Sequence, residues 1–489
     1  MQPGFDLWLT FCSLEDIAWE KGRSRPRRIG DMMKFFATFL GAGAVCLATT
    51  IAAGAEPLRD AVRHALSTNP ALKARSAEMR ATAYELMQLK GEFQPLVEVF
   101  GDIGRQDVRD PSSLAVNESG ITKTRSQIGV RTSLVIFDGF RRANRVYADA
   151  ARLDASIFNL LDASETMALN ATEAYIDVYR HQALLEVARR NVAKHIQIGR
   201  QVRDLVEAGR LPFSDELTID DRIGAARLAE LEIQRAVRDA VSRYERVIGR
   251  KPSGNMALTN PKLPHSADEL VQTAIANSYR VKRMQAQMDQ IRANGDSVLA
   301  SRSPRVTLEA GAIAGENRNG SFGDREDTFA GVSINWTIYK GGRKDERNAL
   351  AQRSYAAAFE RDAAARDVRE MADLAWTSLA TNTERLAQLR RQLDVNRTLV
   401  DVYGEEFEAA KRSLLDLLEV ERARFNVEFE AVSAEASLAF SRYRVLAAQS
   451  RLAAHFGVAA SDMALEPGFH DKARRQTNSV FNIAIEPLE

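Results

Sequence analysis

The residues of this sequence that could perform chemistry are few, and their spacing argues against catalysis. Two histidines, His181 and His195, lie fourteen residues apart within a helical pattern. Along an α-helix this spacing is about 21 Å, so the two rings cannot bind one metal ion. The chain also contains no Walker loop, no HExxH zinc motif and no nucleophile elbow. We therefore expect no enzyme activity, no metal and no cofactor.

A second candidate is an acidic pair, Asp416 and Glu419, near the start of a predicted helix. Their spacing of three residues places both carboxylates on one helical face. Ser413 precedes Asp416 by three residues, which is the spacing of a capping box. The residues alone allow two roles for Asp416, a helix cap and a charged surface.

The composition excludes several classes of protein. The chain has 489 residues, of which 45% are hydrophobic and 27% are charged, so it is neither disordered nor an ordinary polytopic membrane protein. Its 67 basic and 66 acidic residues leave a net charge of +1. That balance provides no electrostatic attraction to nucleic acid, so nucleic-acid binding is disfavoured.

The N-terminal region has the pattern of a signal peptide. A basic start at Lys34 precedes an apolar run over residues 35–53, and Ala53–Ala55 fits the small-x-small cleavage rule. We predict a signal peptide over residues 32–55 and a mature N-terminus at Glu56. Residues 1–31 are interpreted as an extension from a start codon placed too early. The alternative is a transmembrane anchor, because the apolar run is nearly long enough to cross a bilayer.

The predicted mature chain has no means of crosslinking or of crossing a membrane as a helix. Cys12 and Cys46 both precede the cleavage site, so no disulfide and no thiolate metal site is expected. Beyond Glu56 no apolar run reaches about 18 residues, the length that a membrane-spanning helix requires. Membrane insertion of the mature chain would therefore need strands.

An internal repeat organises the rest of the chain. The first repeat occupies residues 56–252 and the second residues 267–458, with a linker over 253–266 and a C-terminal tail over 459–489. Each repeat is predicted to contain an opening amphipathic helix, two strands around a polar loop, a glycine turn, a very long helix and a second helix. A proline, Pro95 or Pro304, ends the opening helix and suits a strand start.

The predicted strands alternate with a period of two, as half-lipid, half-water strands do. One face of each carries mainly apolar side chains: Ile128, Val130, Thr132, Leu134 and Ile136, and Ala330, Val332, Ile334, Trp336 and Ile338. The other face is small or polar: Gln127, Gly129, Arg131 and Ser133, and Gly331, Ser333, Asn335 and Thr337. This pattern also fits a soluble two-sheet domain, so the strands alone do not decide between the two.

Each long helix carries a coiled-coil seam with a 3-4 spacing. The first seam contains Ala171, Ala174, Val178, His181, Leu185, Ala188, Val192, His195, Gly199, Val202 and Val206. The second contains Ala372, Ala375, Leu379, Asn382, Leu386, Leu389, Leu393, Asn396, Val400, Tyr403 and Phe407. The polar exceptions lie at matching places in the two seams. We interpret them as residues that fix helix register.

These elements predict an α+β chain, mostly α, with four strands and two very long helical hairpins. Four strands cannot close a membrane barrel, so several chains must contribute to one barrel. Two alternatives are a trimeric coiled-coil surface adhesin and a periplasmic adaptor protein. The adhesin would carry its barrel strands at one terminus only, whereas strands recur here in both repeats. The adaptor would need only one long hairpin, whereas this chain has two.

The order of these motifs resembles the TolC-like outer-membrane efflux and secretion channel family. The resemblance rests on the opening segment Ala65–Leu72, on Pro95 and Pro304, on the glycine turns after Phe137 and Tyr339, and on the repeat itself. It implies a homotrimer in the cell outer membrane, with a 12-stranded barrel continued by a periplasmic α-helical tube. It also implies a passive conduit for type I protein secretion or drug efflux, served by a periplasmic adaptor and an inner-membrane ABC or proton-driven pump.

The resemblance also assigns a periplasmic gate to the hairpin tips. Asp416 and Glu419 match the family's acidic gate motif and would form two carboxylate rings in a trimer, favouring cations. Asp215 is the equivalent acid of the first repeat, and the family pattern would link it to Arg412. This sequence departs from that pattern at Glu419, where aspartate is common, and at Phe407, where a tyrosine would add a hydrogen bond.

Overall fold

The computed structural model describes residues 57–108, 121–254, 256–318 and 323–468. The predicted signal peptide, the N-terminal extension and both cysteines lie outside these residues. The first half contains α1 (Leu58–Thr68), α2 (Pro70–Lys90), β1 (Leu96–Val108), β2 (Ile121–Phe137), α3 (Arg141–Glu207) and α4 (Phe213–Ile248). The second contains α5 (Ala267–Asn277), α6 (Tyr279–Ala300), β3 (Arg305–Glu316), β4 (Asp324–Asn335), α7 (Arg343–Glu408) and α8 (Leu414–Ala448). Two short helices follow, α9 (Leu452–His455) and α10 (Ala460–Met463). The predicted fold class, mostly helical with few strands and two long hairpins, is confirmed.

Each half opens with two helices, where the sequence pattern predicted one. The break in the first half is at Asn69, whose side chain accepts a hydrogen bond from the backbone N–H of Ala71 at 2.9 Å. Pro70 follows, and it suits the first position of a new helix because it has no N–H to donate. In the second half Ser278 caps α6 in the same way, accepting from the N–H of Val281 at 3.3 Å.

The strands form one antiparallel sheet in the order β1-β2-β3-β4, so the β2–β3 pair joins the two halves of the chain. The register places Val99, Val130, Ala312 and Thr328 in one row across the sheet. Strand β4 ends at Asn335, whereas the predicted alternation ran on to Ile338. The reason is that Asn335 pairs with Arg305, the first residue of β3, so the chain beyond it has no strand beside it.

The long helices form two hairpins that lie side by side. Helix α3 has 67 residues and α7 has 66, which is roughly 100 Å each. Helix α3 contacts both α4 and α8, and α8 also contacts α7. The predicted seams are buried or half-buried; on α7 the buried residues from Ala372 onwards are Ala372, Ala375, Leu386, Leu389, Leu393, Val400 and Phe407, all of them seam residues. Helix α3 buries additional residues outside its seam, because α1, α2 and α6 pack on it as well as α4 and α8.

The largest hydrophobic core lies where α1 and α2, from the start of the described chain, pack on α3 together with the ends of α4 and α8 and with α9. The predicted linker belongs to this core, because Met256 is buried and the backbone N–H of Ala257 donates to the Tyr175 hydroxyl at 3.0 Å. The described part of the C-terminal tail also packs there. Ala464 is buried, and the N–H of Gly468 donates to Asp154 Oδ1 at 3.0 Å.

Among the described residues, no helix combines the length and the hydrophobicity that a membrane crossing requires.

Candidate functional site

The predicted site residues lie at the tips of the two hairpins, where each long helix turns back. The α3–α4 turn contains Gly209 with a φ of 68°, and the α7–α8 turn contains Ala410 with a φ of 55°. Both residues occupy the left-handed region at the equivalent step of the turn. Glycine adopts this conformation freely, whereas alanine strains the backbone there. The second tip is therefore held in its geometry by the contacts around it.

An apolar cluster holds the two tips together. It contains Ile198 and Val202 from α3, Ile219 and Ile223 from α4, Phe407 from α7, and Leu414, Leu417 and Leu418 from α8. The Phe407 side chain is 3% exposed. The resemblance noted Phe407 as a departure from a hydrogen-bonding tyrosine, and the structure shows that its ring is part of this cluster. Side chains of α8 that point away from the cluster are left for the solvent.

Asp416 caps α8. The backbone N–H of Asp416 donates to Ser413 Oγ at 3.2 Å, and the Ser413 hydroxyl donates to Asp416 Oδ2 at 2.8 Å. The N–H of Ser413 completes the reciprocal capping box at 3.4 Å from Asp416 Oδ2. The cap that the sequence spacing allowed is therefore present. It engages one carboxylate oxygen of Asp416, and the residue remains exposed.

Glu419 lies one turn further along the same exposed stripe of α8. Its side chain is 69% exposed, and its nearest basic partner is Arg422 at 4.0 Å, the limit of an ion pair. Leu414, Leu417 and Leu418 point the other way, into the apolar cluster. The chain thus presents two carboxylates on one face, as predicted, with little compensating positive charge beside Glu419.

Arg412 has partners that the sequence did not indicate. Its Nε donates to Glu406 Oε2 at 2.9 Å, and its guanidinium lies 4.3 Å from the centre of the Tyr403 ring. The hydrogen bond to Glu406 raises the pKa of Arg412 further, so it is a permanent cation. Both partners come from the last turns of α7. Arg412 therefore fastens the turn to the helix that precedes it.

Asp215 lies in the first turn of α4 and is half-buried. In the part of the chain that the structure describes, no hydrogen bond or ion pair joins it to Arg412. The link between these residues that the resemblance implies thus stays a prediction. Glu406 was missed because it lies six residues before Arg412, a separation at which only the reversal of the chain at the tip brings two side chains together.

The two seam histidines bond to their own helix. His181 Nδ1 lies 2.8 Å from the Asp177 carbonyl oxygen, and His195 Nδ1 lies 2.9 Å from the Asn191 carbonyl oxygen. By contrast, Asn382 Nδ2 donates to Ser441 Oγ of α8 at 2.7 Å. Of these three polar seam residues, Asn382 thus bonds to the other helix of its own hairpin, as expected of a residue that fixes helix register. Within the described ranges no group of three or more His, Cys, Asp or Glu residues could hold a metal ion.

Comparison with known proteins places these features in a wider context. The sequence profile of the family described as "Outer membrane efflux protein" matches residues 61–250 and 270–457, one match per repeat. The outer membrane efflux protein BepC of Brucella suis is 24% identical over 423 residues, covering 85% of this chain and 91% of BepC. The alkaline protease secretion protein AprF of Pseudomonas aeruginosa is 22% identical, covering 68% of this chain and 69% of AprF. The structure of the Campylobacter jejuni CmeC outer membrane channel superposes with a TM-score of 0.70 at 13% identity, covering 86% of this chain and 88% of CmeC.

Proposed function

This chain belongs to the outer membrane efflux protein family, and on that premise we propose that three copies assemble into one conduit with an acidic gate at its periplasmic end. The chain is an outer-membrane channel subunit for efflux or secretion and extends into the periplasm. The proposal adds the number of copies, the partners and the residues that control passage.

The observation that carries the proposal is the polarity of the sheet. One face carries exposed apolar side chains; Val99 is 72%, Ile103 78%, Ile128 63% and Val332 59% exposed. The opposite face is charged, with Asp102 paired to Arg125 and Arg318 paired to Asp327 at 3.2 Å. A soluble sheet would cover its apolar face, whereas this sheet leaves it bare and carries ion pairs on its polar face. That arrangement suits lipid on one side and a water-filled lumen on the other.

The edges of the sheet call for further copies of the chain. Strands β1 and β4 each pair on one side only. An open edge cannot face lipid, so β1 of one copy must pair with β4 of another. Two copies would give eight strands, a barrel that side chains fill, and three copies would give twelve and an open lumen.

The helices support the same assembly. Helices α4 and α7 lie at the two outer edges of the row of hairpins, and both leave large apolar side chains exposed. These are Leu217, Leu228 and Leu231 on α4, and Met371, Leu374 and Val395 on α7. Packing α7 of one copy against α4 of the next would bury both sets and close the helices into a tube. Native mass measurement of mild-detergent extracts should find trimers, and a stable monomer inserted in bilayers would refute this assembly.

The chain needs partners that supply energy and reach the inner membrane. We infer a periplasmic adaptor and an inner-membrane ABC or proton-driven pump, because a passive conduit has no energy source of its own. One curated relative is named for efflux and the other for protease secretion. The cargo of this chain is therefore either a small molecule or a secreted protein. Copurification with crosslinking at the hairpin tips would identify the adaptor.

We infer that the gate consists of the exposed carboxylates of Asp416 and Glu419, repeated in each copy. Two carboxylates per chain would concentrate negative charge where the tube narrows and favour cations. Arg412 acts differently, since it is bonded to Glu406 and holds the turn closed. The link to Asp215 remains part of the proposal as a contact between hairpins in the assembled tube.

Bilayer recordings of three variants separate these roles. Asp416→Asn with Glu419→Gln should reduce cation selectivity, because the charges are removed while the side-chain shapes are kept. Ser413→Ala is the matched control, since it removes the cap and keeps both charges. Arg412→Ser removes the charge-assisted hydrogen bond to Glu406. It should raise conductance and leave ion selectivity largely intact. Unchanged selectivity in the double variant would reduce Asp416 to a helix cap.

A further inference from the structure

A charged layer lies between the two hairpins, above the apolar cluster at their tips. Helix α3 contributes Arg190 and Lys194, and α8 contributes Glu421, Arg424 and Glu428. On α8 these three residues follow a spacing of three and four, so they share the face that is turned towards α3. We call this set the charged layer.

The charged layer interrupts an otherwise hydrophobic interface. Between the charged layer and the tips, Ile198 and Leu418 belong to the apolar cluster. On the side of the charged layer away from the tips, Val178 and Ala436 belong to the largest hydrophobic core. Between these two apolar regions, ion pairs join α3 to α8. Arg190 Nη2 lies 2.9 Å from Glu428 Oε1, and Lys194 Nζ lies 3.8 Å from Glu421 Oε1.

Arg424 is the cation on which this layer depends. Its Nε donates to Glu421 Oε2 at 2.9 Å and its Nη1 donates to Glu428 Oε2 at 2.9 Å, so one guanidinium bonds to both carboxylates. Glu421 is fully buried, and its Oε1 has no hydrogen-bond partner. A buried carboxylate is tolerated only when a cation compensates it, and removing that cation is far more costly than exchanging the whole set for neutral groups.

We propose that Arg424 is a positioning residue for passage through the channel. Its bonds to Glu421 and Glu428 compensate charge inside the interface and so keep α8 docked on α3, and this contact sets the closed position of the acidic tip on the second hairpin. Without Arg424, Glu421 Oε2 loses its hydrogen bond inside the interface, and the cations left near the two carboxylates are Lys194, 3.8 Å from Glu421, and Arg190, 2.9 Å from Glu428. The buried Glu421 carboxylate regains hydration when α8 moves away from α3. The inference rests on the proposed function, because it assumes that the tips control passage.

Single-channel recording of the mature protein in planar bilayers tests this role. Arg424→Met keeps an unbranched side chain of similar length and removes the charge. We expect the fraction of time in the high-conductance level to rise at least tenfold, because a buried ion pair that loses one partner leaves a charge uncompensated. Adding Glu421→Gln and Glu428→Gln to Arg424→Met should return that fraction towards the wild-type value. Arg424 that acted only through packing would not be rescued in this way.

Arg385→Met is the matched control. Arg385 pairs with Glu430 at 3.5 Å between α7 and α8, within one hairpin, and both side chains are more than half exposed. Its loss should leave the open fraction unchanged. A rise equal to that of Arg424→Met would overturn the proposal, because the effect would then belong to any arginine of this region.

Two further results would also overturn the role of Arg424. One is an unchanged open fraction in Arg424→Met trimers, and the other is a triple variant that stays as open as the single one. If the Arg424→Met chain forms no trimers, the proposal is tested with Arg190→Gln instead. Arg190 is 57% exposed, so its loss should not prevent folding. An open fraction equal to wild type in that variant would sink the proposal. A wild-type chain that forms no channel would refute the proposed function instead.

Discussion

Replacing Ala410 by glycine is expected to stabilise the turn between α7 and α8. Ala410 has a φ of 55°, in the left-handed region that alanine adopts at a cost of about 1–2 kcal/mol. Glycine removes that cost, but it gives the unfolded chain more freedom, which offsets about 0.5–1 kcal/mol. The net gain for Ala410→Gly is therefore about 0.5–1 kcal/mol.

The first repeat provides the reciprocal experiment. Gly209 occupies the equivalent step of the α3–α4 turn with a φ of 68°, and a Cβ added there would meet nothing within 4 Å. Gly209→Ala therefore changes the backbone conformational energy without a steric clash. It should destabilise its turn by about 1 kcal/mol. The two substitutions change the stability of their turns in opposite directions, because both act through the left-handed backbone conformation. Each is therefore the control for the other.

Native-state amide hydrogen exchange of the trimer resolves the two turns separately. The N–H of Lys411 bonds to the Glu406 carbonyl oxygen at 2.8 Å, and the N–H of Arg210 bonds to that of Leu205 at 2.9 Å. Ala410→Gly should slow exchange at Lys411, and Gly209→Ala should speed exchange at Arg210 by about fivefold, the factor for 1 kcal/mol. Slower exchange in both variants, or faster exchange in both, would refute the reasoning.

Three other predictions follow from particular contacts. Burial raises the pKa of Glu165 from 4.5 to about 7, so its neutral form is favoured in the folded state. The free energy of unfolding should therefore fall as pH rises from about 4.5 to about 7, by about 3 kcal/mol at most. Glu165→Gln should remove most of that pH dependence in thermal unfolding, and a slope that persisted would show that Glu165 is not its source. Asn382→Ala removes the 2.7 Å bond to Ser441 and should destabilise the second hairpin by about 1 kcal/mol in hydrogen exchange, whereas unchanged exchange would contradict a register role. N-terminal sequencing of outer-membrane material should begin near Glu56, and retention of residues 35–53 would contradict the predicted signal peptide.

The functional conclusion rests on a sheet whose exposed face is apolar and on two hairpins whose outer edges are incomplete. In the proposed assembly, lipid covers the apolar face of the sheet and neighbouring copies of the chain cover the outer edges of the hairpins. The charged layer adds a different kind of contact. Apolar contacts resist separation wherever they occur, whereas Glu421 and Glu428 gain hydration on separation. The position of Arg424 therefore decides where the two hairpins can part.

The parts of this protein that follow from local patterns could be predicted from the sequence. The alternation of Ile128 and Val130 with Gly129 and Arg131 indicated which strand face is apolar, because successive side chains point to opposite faces. The 3-4 spacing on the long helices predicted the residues that α7 buries, and Ser413-x-x-Asp416 predicted the cap of α8. These properties depend on neighbours within four residues, so the sequence contains them directly.

Contacts between distant elements were decided only by the tertiary structure. The sequence did not indicate that β2 pairs with β3, that Glu165 receives the N–H groups of Leu452 and Ala453, or that Arg412 bonds to Glu406. The seams of α3 and α7 look alike in the sequence, although α3 buries more residues because α1, α2 and α6 pack on it in addition to α4 and α8. A periodic pattern states which face of an element is apolar, and it does not state which element covers that face. That choice depends on how all the elements fill space together, and it placed Arg424 where it bonds to both the fully buried Glu421 and Glu428.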